Sequence, residues 1–233
     1  MNAKAIPFQA DMIRALLLET ENPGSGKTQT RWIVKPQPIQ PAPGSYFDAY
    51  NGGPQWNWWA EDHRQHLDQI IQCPYGKPGD LLWCRETWAA SHAYDNLPPR
   101  LIFPGARVHY SVNEERGGLM WRRSKHQPRW ASRMTLELTD VRVERLQDIS
   151  EMDALAEGIK ETIRESHWRD YETGGHTREP RRSFATLWDS INTKRGYGWA
   201  SNPWVWALTF RPILANVDEV LSNPERFGIE DAA

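Results

Sequence analysis

Pro78-Gly79-Asp80-Leu81-Leu82-Trp83-Cys84-Arg85 is the stretch on which the fold reading turns. Pro-Gly-Asp is a turn signal, and the apolar residues after it predict a strand. Outward from there, Val108, Tyr110 and Val112 alternate and predict a second strand. Between 133 and 145, Met134, Leu136 and Leu138 share one parity while Val141 and Val143 take the other. That strand is expected to change phase through a bulge or turn near Thr139-Asp140. Trp204, Trp206, Leu208 and Phe210 alternate in a last strand, with Trp204 and Trp206 read as core and barrel rim rather than base-stackers.

Helical periods lie between and before these strands. Phe8, Met12, Ala15 and Leu16 recur at helical spacing, with a stop before Pro23-Gly24-Ser25-Gly26. Ser150-Glu151-Met152-Asp153 reads as a capping box with Gly158 closing the helix, so a short helix is expected over 151–157. Pro180 opens another, with Phe184, Leu187, Trp188 and Ile191 on one face. Residues 36–75 read as a long excursion with a short helix around 61–72. Four or five strands and three or four helices, mixed rather than in βαβ repeats, predict an α+β fold: a small barrel with insertions.

Composition narrows the function classes. The chain has 233 residues, with 28 Lys plus Arg against 30 Asp plus Glu and a net charge of −2. That excludes a uniformly basic surface, so any nucleic-acid contact has to come from a local patch. The 13 Trp supply core area that a hydrophobic content of 39% would otherwise leave thin. No secretory signal or membrane span is read in the sequence, and Cys73 and Cys84 make no disulfide framework. A cytoplasmic protein is expected.

Several motifs invite chemistry. Gly24-Ser25-Gly26-Lys27-Thr28 looks like a phosphate loop, but the Walker pattern needs Gly where Glu21 stands, and a helix rather than a strand precedes it. Lys27-Thr28-Gln29-Thr30-Arg31 packs an amine, two hydroxyls and a guanidinium into five residues. Either these are solvated loop residues, or Lys27 is a general base and Thr30 a nucleophile. The second reading needs burial or a cationic neighbour such as Arg31 to bring the amine from ~10.4 towards about 7–8. Glu157 ends a short helix, where a carboxylate opposes the dipole by ~0.3–1 kcal/mol. It is either an ordinary surface Glu or a group kept to face Lys27. Between Arg116 and Leu136 the chain carries Arg116, Arg122, Arg123, Lys125, Arg129 and Arg133 with no acid, interleaved with Trp121 and Trp130. This is either a solvated basic loop or a site for single-stranded or flipped-out nucleotides. His63, His66, Cys73 and Cys84 follow no zinc spacing, and no metal or other cofactor is expected.

Taken together, these blocks resemble a known family. Met12-Ile13-Arg14-Ala15-Leu16-Leu17 followed by Lys27 to Arg31, the Tyr75–Trp88 stretch, the Ser132–Leu136 and Arg145–Gly158 blocks, Phe184 to Asn192 and Asn202 to Trp206 are similar to ASCH-domain proteins of the longer bacteriophage and prophage type. The resemblance implies a small PUA-like β-barrel with flanking short helices and long loop insertions. It implies one domain over 1–215 with insertions at about 36–75 and 91–130; the chain from Asn216 to 233 is an acidic tail by composition and is expected to be peripheral. It also implies an amidohydrolase that removes the acyl group from N4-acetylcytidine or a related modified nucleoside. Lys27, Thr30 and Glu157 would be catalytic, and Arg31, Trp32, Arg85 and Glu86 would contact substrate. Trp32 stands where those relatives carry Arg, which leaves Arg31 as the guanidinium. Two other readings stay open. One is a non-catalytic module that binds RNA, single-stranded DNA or a modified base through Arg122, Arg123, Lys125, Arg129, Trp121 and Trp130. The other is a metal-dependent ribonuclease using Asp80 and Glu86. The location implied is the cytoplasm of a bacterial host.

Overall fold

A computed structural model describes residues 1–39, 46–50, 55–59, 65–113, 117–162 and 166–229. In chain order the strands are β1 (Ala3–Pro7), β2 (Gln29–Ile33), β3 (Tyr46–Tyr50), β4 (Gln55–Trp59), β5 (Gln65–Gln72), β6 (Leu81–Arg85), β7 (Trp88–Ala90), β8 (Val108–Tyr110), β9 (Thr135–Arg145), β10 (Trp168–Arg169), β11 (His176–Thr177) and β12 (Trp204–Ile213). The helices are α1 (Ala10–Glu21), α2 (Glu151–Ala156), α3 (Pro180–Asn192) and α4 (Val217–Ser222), with short 3-10 turns between. The fold is therefore mixed α+β with several sheets, the largest in the order β1-β6-β9-β12-β2. Closure into the expected barrel would need a ladder between β1 and β2, and none is found among the described residues. No described helix is long and apolar enough to cross a membrane.

The chain forms two compact units. Unit 1 comprises Met1–Gly26, Gly79–Leu138 and Arg211–Ala233, and unit 2 comprises Lys27–Pro78 and Thr139–Phe210. In unit 1, β6 is the central strand, with Leu81 to Cys84 all buried. It pairs in parallel with β1 (Ala3 opposite Leu81) and antiparallel with β9 (Leu82 opposite Leu136). The Pro-Gly-Asp turn sets its start. Gly79 takes φ +86, and buried Asp80 accepts the Asn2 N–H at 2.8 Å, which fixes the register of β1. β7 and β8 pair antiparallel beside a small core of Trp88, Ala90, Ile102 and Ala131.

The phosphate-loop lookalike is also explained in unit 1. Glu19, near the end of α1, accepts the Gly24 N–H at 2.9 Å and the Gly26 N–H at 2.8 Å. The turn's anion-binding amides are thus occupied by the chain's own carboxylate. A Cβ on Gly26 would meet the Ala15 carbonyl at 2.2 Å, so only glycine fits there.

In unit 2, β12 pairs antiparallel with β2, from Val205 opposite Ile33 to Thr209 opposite Gln29. Leu146, Ile149, Ala154, Phe184, Trp188 and Val205 share a core with one face of α3. Trp206 is buried and meets the Trp56 ring edge-on, with centroids 4.9 Å apart.

Three expectations need correction. Residues 65–72 are strand β5, not helix, in an antiparallel sheet of order β3-β4-β5; no cap marks a helix start there, and pairing with the Trp-rich β4 decides the conformation. Residues 61–64 lie outside the described residues, as do His63 and Arg116. β9 changes its buried parity as expected, from Leu136 and Leu138 to Val141, and does so within one strand rather than through a turn at Thr139-Asp140. The acidic tail is not wholly peripheral, because Val217, Val220 and Ile229 pack with Leu81, Trp83 and Ile213. Truncation after Ala215 removes three buried side chains contributing about 1.5–3 kcal/mol each. It should lower the urea midpoint markedly, and an unchanged midpoint would return the tail to the periphery.

Candidate functional site

The site belongs to unit 2 and begins with a short helix. The Ser150 hydroxyl accepts the Asp153 N–H at 3.0 Å, capping α2 as the capping box predicts. Glu157 follows α2 as its C-terminal cap in helical conformation, and Gly158 leaves the helix at φ 73. Beside it, Thr28 donates its N–H to the Ala156 carbonyl and accepts the Phe210 N–H, both at 2.9 Å. These two backbone bonds set Lys27 next to Glu157.

Lys27 is wholly buried and Glu157 nearly so. The Lys27 Nζ donates to Glu157 Oε2 at 2.7 Å and to the Glu157 main-chain carbonyl at 2.7 Å. The other carboxylate oxygen of Glu157 accepts from Arg31 Nη1 at 3.1 Å. Arg31 also donates through Nε to Glu144 Oε1 at 2.8 Å, and its Nη2 lies 3.4 Å from Asp153 Oδ2. Gln29 donates to Asp153 Oδ1 at 2.7 Å and accepts from Arg31 at 3.2 Å. Two cations and three carboxylates are therefore joined, with Phe184 of α3 under the guanidinium at 5.9 Å.

Burial pushes the Lys27 amine below its ordinary value; Glu157 opposes this and Arg31 adds to it. For Arg31 burial works against the charge, but Glu157 and Glu144 outweigh it and hold the guanidinium protonated. Asp153 is held below the usual carboxylate range: burial opposes, but the Gln29 donation and Arg31 prevail. The arrangement thus holds an amine whose charged form burial disfavours, hydrogen-bonded to a carboxylate that is itself fixed by a permanent cation.

Of the expected catalytic residues, Lys27 and Glu157 are brought together and Arg31 joins them. Thr30 is buried opposite Leu208, on the face of β2 away from Gln29 and Arg31. Its hydroxyl makes no hydrogen bond with Lys27 or Glu157 among the described residues. Trp32 is half-buried against Tyr75, with centroids 5.5 Å apart and its indole N–H enclosed without a partner. Glu144, Asp153 and Gln29 were not anticipated. Gln29 has the parity of Arg31 on β2, and Asp153 lies four residues before Glu157 on one helix face, so two of the three carried a signal.

Arg85 and Glu86 belong to unit 1. Glu86 is buried and bound by Arg133 through two bonds of 2.9 Å, while burial pushes its carboxyl up. Asp80 accepts the Asn2 N–H, and among the described residues no group of His, Cys, Asp and Glu could hold a metal ion.

The proposed nucleic-acid residues divide. Arg122 is buried, donating to the carbonyls of Tyr94, Leu97 and Met120. Arg129 pairs with Asp218, and Trp130 packs edge-on against Trp88. Trp121 is half-buried with its N–H enclosed and unpartnered. Arg123 and Lys125 stay exposed.

Glu157→Gln leaves Lys27 and Arg31 short of a shared counter-charge and should cost about 3–5 kcal/mol in urea unfolding. Adding Lys27→Met should recover part of that loss, and additive effects would deny the coupling. Between the lowered amine value and 10.5 the unfolded chain binds more protons at this position, so its contribution to stability rises with pH there. The difference between wild type and Lys27→Met should show that slope. Compared with protein-family models, curated proteins and solved structures, the chain matches none.

Proposed function

We propose that the Lys27–Glu157 pair is the acid–base centre of an amidohydrolase acting on an N4-acylated cytosine nucleoside, N4-acetylcytidine being the first substrate to test. The observation that carries this is a fully buried amine, lowered by burial, held 2.7 Å from a carboxylate. Perturbed titratable groups cluster at functional sites, which supports a proton-transfer role for this pair. The same reading takes the fold as an ASCH-type, PUA-like one elaborated by the 36–75 and 91–130 segments.

In this mechanism neutral Lys27 takes a proton from a water, and the resulting hydroxide adds to the acyl carbonyl. The tetrahedral intermediate expels the cytosine amine as the C–N bond breaks. The proton held by Lys27 reaches the leaving nitrogen by way of Glu157, giving cytidine and the carboxylic acid. Arg31, kept cationic, orients Glu157 and so acts as a positioning residue. Attack is assigned to water because the Thr30 hydroxyl is not joined to the amine.

Incubating the protein with N4-acetylcytidine and following cytidine release tests this. Lys27→Met should lose about 10²–10⁴-fold in kcat. Thr30→Val should retain turnover, which separates water attack from a Thr nucleophile. The rate should climb with pH through an apparent value below the ordinary lysine 10.5. No release by wild type, or full turnover by a folded Lys27→Met variant, would overturn the assignment.

A further inference from the structure

β12 carries a hydroxyl that the folded chain does not use. The Thr209 side-chain oxygen is enclosed and has no hydrogen-bond partner among the described residues. Such a group costs stability unless a partner arrives from outside the fold.

The ladder sets that hydroxyl in the site of unit 2. Thr209 stands opposite Gln29, and Ala207 opposite Arg31. Residues directly opposite in an antiparallel pair project from the same face, about 5 Å apart. Pairing continues at Thr28, whose carbonyl accepts the Phe210 N–H at 2.9 Å. Lys27, Gln29 and Arg31 recur at the strand period of two, so Thr209 faces the middle of their row, with Lys27 and Arg31 as its diagonal neighbours. Lys27 and Ala207 are wholly buried, whereas Thr209 is half-buried. The Trp32 N–H, also enclosed and unpartnered, belongs to the opposite face of β2.

The neighbouring donors on this face are committed. Arg31 Nε and Nη2 lie 2.8 and 2.7 Å from Glu144 Oε1, and Nη1 lies 3.1 Å from Glu157 Oε1. The Gln29 amide donates to Asp153 at 2.7 Å, and Lys27 donates to two oxygens of Glu157. Amide hydrolysis makes a demand that these donors do not meet. When hydroxide adds to the acyl carbon, the carbonyl π pair moves onto oxygen, and that oxyanion needs a donor aimed at it.

We propose that Thr209 is this donor. Its O–H hydrogen-bonds the acyl oxygen and keeps its own proton throughout. The bond weakens as the C=O re-forms and the cytosine amine departs. The inference rests on the amidohydrolase reading and adds a substrate-contacting residue to it.

Thr209→Val removes the O–H with little change of shape, and Thr209→Ser keeps it. With N4-acetylcytidine, Thr209→Val should lose about 10²–10³-fold in kcat while KM changes little, and Thr209→Ser should retain most of the turnover. In urea unfolding Thr209→Val should be at least as stable as wild type, because no partner is lost. A marked fall in its midpoint would show the hydroxyl bonded within the fold and overturn the inference, whatever the activity. Full turnover by Thr209→Val, in a protein whose cytidine release depends on Lys27, would overturn the inference and leave the hydrolase reading standing. No release by wild type would overturn both.

Discussion

An ammonium taken out of water loses several kcal/mol of solvation before any partner is counted, and in unit 2 Lys27 is fully buried. The surrounding structure is organised by what makes that tolerable. Glu157 supplies two acceptors, a carboxylate oxygen and its own carbonyl, and the carbonyl is free because Glu157 caps the last turn of α2. The Ser150 cap fixes where α2 starts, and Gly158 lets the chain leave in the left-handed conformation. Arg31 holds the remaining oxygen of Glu157 and is itself held by Glu144 and Asp153. Removing any link loosens the solvation of one amine.

The same network sets two opposed pressures on a single proton. Two cations among three carboxylates give a negative surplus that favours a charged Lys27, while burial favours the neutral amine. Burial is the larger influence, so the amine is lowered despite its ion pair. An isolated surface ion pair has no such opposition, because water solvates both of its charges.

Elements whose evidence is local could be read in the chain. The Ser150 box, the Pro180 start, the alternation at Trp204 and the Gly79-Asp80 turn all declare themselves within ten residues, and the structure has α2, α3, β12 and β6 there. What depended on distant partners was not legible. β1 is a strand because it finds β6 some eighty residues later, and β5 because it finds β4. In the tail, Val217, Val220 and Ile229 are scattered among acids, so composition hid a buried set. In the site, Lys27, Arg31 and Glu157 could be picked by chemistry, whereas Glu144 on β9 offered no local sign. A sequence also cannot distinguish the roles of neighbouring arginines: Arg122 serves backbone carbonyls and Arg123 faces solvent.

The Gly24–Gly26 turn shows how an anion-binding motif can be closed from within. Glu19 and the two amides it meets are five and seven residues apart on one chain, so the carboxylate competes as a tethered ligand against any dissolved phosphate. Tethering gives it an effective concentration that does not change with the cell's phosphate level. Both amides of the turn are taken by the chain's own helix, which closes it to a phosphate as a latch would.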